Sequence, residues 1–111
     1  MPYKFGDVVL VRFPFTNQAA FKQRPAVVIS NLAYNTAKPN VVIMAITSQL
    51  HFFSGVGEVT IQEWQAAGLL KPSMSKPVFA TIEQNLILKQ LGALQSADQQ
   101  ALRQAIASVI G

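Results

Sequence analysis

VVIMAIT, residues 41–47, decides the fold. Six of its seven residues are apolar, so no alternation leaves one face for water. A strand of this kind must be central, covered on both faces or rolled into the wall of a barrel. It closes on polar Thr47, Ser48 and Gln49.

Upstream, residues 31–40 accumulate Asn, Tyr, Thr, Lys and Pro, a loop composition. Before them, KQRPAVVIS (Lys22–Ser30) predicts a second buried strand over Ala26–Ser30. Asp7–Phe13 predicts a first strand, with Val9, Val11 and Phe13 on one face and Arg12 on the other. Phe15–Arg24 lacks periodicity and reads as a loop at the rim of a site. Downstream, short strands are expected at Gly57–Ile61 and Pro77–Ile82, and Leu86–Leu88 as a last strand or turn before Gly92. Glu63–Leu70 reads as one helical turn that lays Trp64 over the sheet and stops at Gly68. Ser96 and Gln99 match a capping box, and Leu102, Ala105, Ile106, Val109 and Ile110 form one apolar stripe of a C-terminal helix. Strands in series followed by one helix predict a mainly β fold, a small antiparallel barrel rather than βαβ units.

The whole chain, residues 1–111, is expected to form a single domain. Half its residues are hydrophobic and 13% are charged, which excludes disorder. Six Lys and three Arg against five acids give a net charge of +4, which favours a polyanionic partner such as nucleic acid. No cysteine is present, which excludes a disulfide framework and thiol catalysis, and with His51 as the only histidine a zinc site is not expected. The apolar start is interrupted by Asp7 and Arg12, and no stretch reaches membrane-spanning length, so a cytoplasmic protein with no membrane partner is expected. No glycine-rich phosphate loop or serine-nucleophile signature is found, and the carboxylates are dispersed. No cofactor and no metal are called for.

What remains is cationic and hydroxylic. Arg24 cannot follow Ala26–Ile29 into a core, and Pro25 biases it toward extended geometry, so its guanidinium is held at a rim. Antiparallel pairing of the second and third strands would set Arg24 beside Thr47. Such a pair suits RNA phosphodiester chemistry, where the 2′-hydroxyl is an internal nucleophile and the protein aligns it and stabilises negative charge. The plainer alternatives are a strand-edge arginine and turn-capping by Thr47 and Ser48. His51 reads as a surface residue.

The blocks GDVVLVRFPFT, KQRPAVVIS, VVIMAITSQ, EWQAAGLLKPS and LGAL, in this order and over nearly the whole chain, resemble the MazF/PemK-like toxin family. The resemblance implies an SH3-like barrel of the MazF/CcdB-like kind with a C-terminal α-helix. It also implies a homodimer, a metal-independent endoribonuclease cutting single-stranded RNA, usually message, and neutralisation by a cognate acidic antitoxin. It carries the catalytic pair onto Arg24 and Thr47, with Ser48 and Gln49 completing the block. RNA contacts are expected from Lys22, Ser48, Gln49, Ser73, Lys76 and Arg12. Some relatives place an arginine and an aspartate two apart where this chain reads Ser75, Lys76 and Pro77, so Lys76 is left to supply the charge there. Gly6 and Asp7 are read as structural. Two other functions compete: a non-catalytic toxin-like barrel that binds a protein target such as a topoisomerase, and a peptide-binding SH3-like adaptor using Tyr34, Phe52 and Phe53.

Overall fold

The computed structural model describes residues 2–12, 23–50 and 55–111. Phe13, Phe15–Lys22, Phe52, Phe53 and His51 lie outside them. The elements run β1 (Asp7–Arg12), β2 (Gln23–Val28), α1 (Leu32–Ala37), β3 (Asn40–Thr47), β4 (Val59–Thr60), β5 (Met74–Glu83), a 3₁₀ turn (Gln84–Leu86), β6 (Ile87–Ala93) and α2 (Ser96–Ile110). The strands form one six-stranded antiparallel sheet in the order β4-β5-β3-β2-β1-β6.

This sheet has to curl. Three residues, Gln84–Leu86, join β5 to β6, and at about 3.5 Å per residue the link spans no more than ~14 Å. With β3, β2 and β1 between them, a flat sheet would hold the two strands about 19 Å apart at ~4.8 Å per strand. Coiling buries both faces of the central strands, as the apolar 41–46 run requires. Val8, Val27, Met44 and Ile46 enter one core, which α2 covers with Leu102 and the 61–69 segment with Ile61, Ala67 and Leu69. Their strand neighbours Val9, Val11, Ala26, Val28, Val41 and Ile43 enter a second core on the other face, closed by Ile82, Leu86 and Ile87. At about 25 cal/mol per Å² of apolar surface, these two cores are the main source of stability.

Strand β2 runs Gln23–Val28 rather than Ala26–Ser30, which takes Gln23 and Arg24 out of the expected loop, and four other local expectations need correction. Residues 31–40 are not all loop, because Asn31 caps a helix: its side-chain oxygen accepts from the Tyr34 N–H at 2.9 Å, and α1 runs six residues until Pro39 ends it. A helix of under two turns shows no periodicity to read. The Ser96–Gln99 capping box does not form. Gln95 occupies the N-cap position without a side-chain bond, and the Gln99 amide turns back to the Leu94 carbonyl at 2.9 Å. Strand β5 begins at Met74 rather than Pro77, since a bulge accommodates the proline. Strand β6 continues through Gly92 instead of stopping before it.

The turn around Gly68 closes as expected. The Ala67 N–H bonds Glu63 C=O at 3.0 Å, Leu69 N–H bonds Trp64 C=O at 3.0 Å, and Gly68 N–H bonds Gln65 C=O at 3.0 Å, with Gly68 at φ +86°. That is a Schellman closure, which needs a left-handed residue at Gly68. A Cβ on Gly68 would lie 2.0 Å from the Leu91 carbonyl oxygen, and one on Gly92 would lie 2.4 Å from that of Ala67. The turn and β6 therefore touch backbone to backbone. Gly6 and Asp7 are structural too: the Asp7 carboxylate, almost wholly buried, accepts from the Lys4 N–H at 3.0 Å and pairs with Lys4 Nζ at 2.9 Å.

Candidate functional site

The β1–β2 ladder sets Val11 opposite Arg24, and the β2–β3 ladder runs from Val28–Ile43 to Ala26–Ala45, where it ends. Continued two residues, that register puts Arg24 across from Thr47. Pro25, lacking an N–H, stands where β2 has no further bond to give β3. The two strands part at this point, and a cleft of about 890 Å³ opens between them, lined by Arg24, Pro25, Ile46 and Thr47.

Further walls come from neighbouring elements at the same end of the sheet. Between the Met44–Phe79 and Ile46–Ser75 rungs, β5 advances four residues while β3 advances two. The extra residues bulge, and Lys76 and Val78 from this bulge line the cleft. The loop following the Schellman turn adds Leu69, Leu70, Lys71 and Ser73, and β6 adds Lys89 and Leu91. Two shifts in the β1–β6 register leave Leu88 and Leu91 unpaired with β1 on either side of Lys89.

The electrostatics are one-sided. Arg24, Lys71, Lys76 and Lys89 line the cleft, and none of the acids does. No carboxylate among the described residues pairs with any of the four. Four of the chain's nine cations thus line this cleft. Three of the five acids are committed elsewhere: Asp7 to Lys4, Glu58 to the Gly55 N–H at 2.7 Å, and Asp98 to the 62–63 backbone. Thr47 Oγ1 accepts the Gln49 N–H at 3.1 Å, which holds its oxygen and leaves its own proton to donate. Ser73 donates to the Lys71 carbonyl at 2.8 Å and is buried, so its hydroxyl shapes the loop that carries Lys71.

A family profile described as PemK-like, MazF-like toxin of type II toxin–antitoxin system matches residues 4–110. The chain belongs to this family. Solved structures agree in fold. An endoribonuclease in complex with its cognate antitoxin from Mycobacterial species superposes with a TM-score of 0.79 at 17% identity, over 98% of this chain and 95% of that one. MazE–MazF from Deinococcus radiodurans gives 0.79 at 21% identity over 100% and 98%. The Mycobacterium tuberculosis toxin MazF-mt6 gives 0.73 at 21% identity over 91% and 92%. No curated protein sequence matches the chain.

In this MazF-like toxin, the residues singled out from sequence divide into three groups. Arg24, Thr47, Ser48, Gln49, Ser73 and Lys76 line the one cleft. Arg12, exposed and opposite Gln23 at the end of β1, does not line it. Lys22 lies outside the described residues. Lys71 and Lys89 line the cleft and were not singled out. Neither has a local signal. Lys71 is an ordinary loop lysine, and Lys89 sits in an apolar segment whose bulges are invisible to a period-two pattern.

Proposed function

We propose that this toxin is a metal-independent endoribonuclease that cuts single-stranded RNA, messenger RNA in particular, with sequence preference. It acts as a cytoplasmic homodimer and is held inactive by a cognate acidic antitoxin. One observation carries the proposal: four of the chain's nine cations line one cleft, with no carboxylate partner among the described residues, beside a threonine hydroxyl with a proton to give. An acidic antitoxin segment would answer the same charge. The family relationship and the antitoxin complex of the Mycobacterial endoribonuclease support it.

The chemistry follows from RNA itself. The 2′-hydroxyl loses its proton to solvent as its oxygen attacks the adjacent phosphorus, the bond to the 5′-oxygen breaks and that oxygen takes up a proton from solvent, and a cyclic phosphate and a free 5′-hydroxyl are left. Negative charge grows on the non-bridging oxygens as the new bond forms. The Arg24 guanidinium presents a planar fork of donors to two such oxygens, which is stronger in the transition state than in the ground state. Thr47 Oγ1 donates to the phosphate and fixes its rotation, and Lys76 adds a point charge from the bulge.

The test is cleavage of a long defined RNA by purified protein in EDTA, repeated with a 2′-deoxy nucleotide at the mapped cut. Cutting is expected in EDTA and is expected to vanish with the deoxy substitution. Arg24→Ala should lower kcat by about 10²- to 10³-fold, as loss of a charged transition-state donor does elsewhere. Thr47→Val keeps the shape and removes the donor, at a cost of about tenfold. A folded protein that leaves RNA intact, or an Arg24→Ala variant that cuts at the normal rate, would refute the proposal.

A further inference from the structure

We propose that Gln49 gives the cleft its sequence preference: its side-chain amide reads the base next to the scissile phosphate and favours adenine there. This rests on the ribonuclease reading above and adds to it the group that chooses where the strand is cut.

Gln49 is tied to the reacting end of the cleft by its own backbone. Its N–H donates to Thr47 Oγ1 at 3.1 Å, so its main chain lies directly beside the hydroxyl assigned to the phosphate. The side chain that leaves this backbone is exposed, lines the cleft and has no hydrogen-bond partner among the described residues. An amide one side chain's length from the phosphate contact reaches a flanking base and not a distant one.

What singles this amide out is its oxygen. RNA phosphates only accept hydrogen bonds, and Arg24, Lys71, Lys76 and Lys89 supply the cleft with donors. Acceptors among the lining side chains are few. No carboxylate lines the cleft, Thr47 Oγ1 is engaged by the Gln49 N–H, and the Ser73 hydroxyl is buried and bonded to the Lys71 carbonyl. Ser48 has a hydroxyl that turns to donate or accept and so discriminates poorly. Of the lining side chains, Gln49 alone sets an acceptor and a donor side by side in one plane.

Bases differ in what they need from such a surface. Guanine, cytosine and uracil each carry a carbonyl oxygen, which the cations can hold without Gln49. Adenine carries none. Its polar groups are an amino donor and ring nitrogens, and it pairs in two-pronged fashion with a glutamine amide through N6 and N7. In a cleft rich in donors, adenine is the base whose binding depends most on Gln49.

The experiment sequences the ends made when the protein cuts a random RNA pool. The wild type should enrich adenine at one position flanking the cut. Gln49→Leu, close in size and without polar atoms, should flatten that preference. Gln49→Glu, with two acceptors, should move it to guanine, whose N1–H and N2–H are paired donors. Thr47→Val should slow all sites and keep the adenine preference. Thermal melts of the Gln49 variants should match the wild type, because the side chain is exposed and the backbone N–H stays. A second arm uses one defined RNA with purine riboside, which lacks the N6 amino group, or 7-deazaadenosine, which lacks N7, at the enriched position. Each analogue should lower wild-type kcat/KM by about tenfold, and neither should change that of Gln49→Leu. A preference that survives in Gln49→Leu overturns the proposal and leaves the nuclease standing. A loss in that variant equal at every site overturns it too, because Gln49 would then only support Thr47. A wild type that cuts without adenine at either flank has the same consequence. A wild type that leaves the pool intact removes both proposals.

Discussion

Replacing Asp98 should unfasten the cleft wall before it unfolds the sheet. Asp98 is 2% exposed, in the first turn of α2, and its two carboxylate oxygens accept the Gln62 N–H at 3.0 Å and the Glu63 N–H at 2.9 Å. These donors open the turn that ends at Gly68 and leads into Leu69–Lys71. A hydrogen bond to a charged group contributes about 1.5–3 kcal/mol, so Asp98→Ala, which strands two N–H groups beside the core, should cost about 3–5 kcal/mol. Asp98→Asn keeps one acceptor and turns an amide N–H toward the other donor, at about 2 kcal/mol. At roughly 4 °C per kcal/mol for a chain of this size, the melting temperature should fall by about 12–20 °C for alanine and about 8 °C for asparagine. Circular dichroism melts and urea titration give the global values. Native-state hydrogen exchange locates the effect: the Gln62 and Glu63 amides should lose protection while β3 amides keep theirs relative to global unfolding. An alanine variant within 1 kcal/mol of the parent, or exchange at Gln62 and Glu63 unchanged, would refute the anchoring role.

Three further substitutions separate backbone strain from buried polarity. Gly68→Ala forces a left-handed alanine and drives its Cβ into the Leu91 carbonyl, a backbone atom held in the sheet. Gly57→Ala has a similar φ of +84° but meets Val109 Cγ2, a side-chain atom near the end of α2. Gly68→Ala should therefore lower the urea midpoint at least twice as far as Gly57→Ala, and equal losses would contradict the seam. Ser75, 1% exposed, buries a hydroxyl with no hydrogen-bond partner among the described residues. Ser75→Ala removes an unsatisfied group and should raise stability by about 1 kcal/mol, seen as a higher urea midpoint at constant slope.

The apolar 41–47 run announces the central strand because burial on both faces leaves a mark in every residue. Arg24 is legible for the opposite reason: a charge abutting Ala26–Val28 must stand at the edge of a core. Thr47 is legible through the antiparallel pairing of neighbouring strands. Other features leave weaker marks. Helix α1 depends on one Asn31 cap and lasts less than two turns, so composition around Pro39 outweighs it. Asp98 looks like an ordinary first-turn acid, and its partners are 35 and 36 residues away. Lys71, Lys76 and Lys89 come together through two kinds of irregularity, a turn packed on β6 and bulges in β5 and β6. A period-two pattern assumes regular ladders, and these residues are aimed by departures from one.

Those departures fall where the strands part. In β2, β3 and the paired part of β1, alternate residues are committed to one core or the other, and a side chain there cannot be exchanged without a packing cost. Beyond Ala26 and Ala45 the β2–β3 ladder stops, and the groups facing the cleft come from strand ends, a bulge and a loop. The loop is tied down by Asp98, by the Gly68–Gly92 seam and by the Ile61 N–H to Ser73 C=O bond at 3.0 Å. The cleft wall is therefore held in place by backbone contacts and one buried carboxylate rather than by the cationic side chains on it. Substitutions at Leu70, Lys71, Lys76 or Lys89 can change what the cleft grips with little loss of stability, because none of the four side chains holds the fold together. Substitutions at Asp98 or Gly68 do the reverse: they leave the charges in place and let the wall that carries them move.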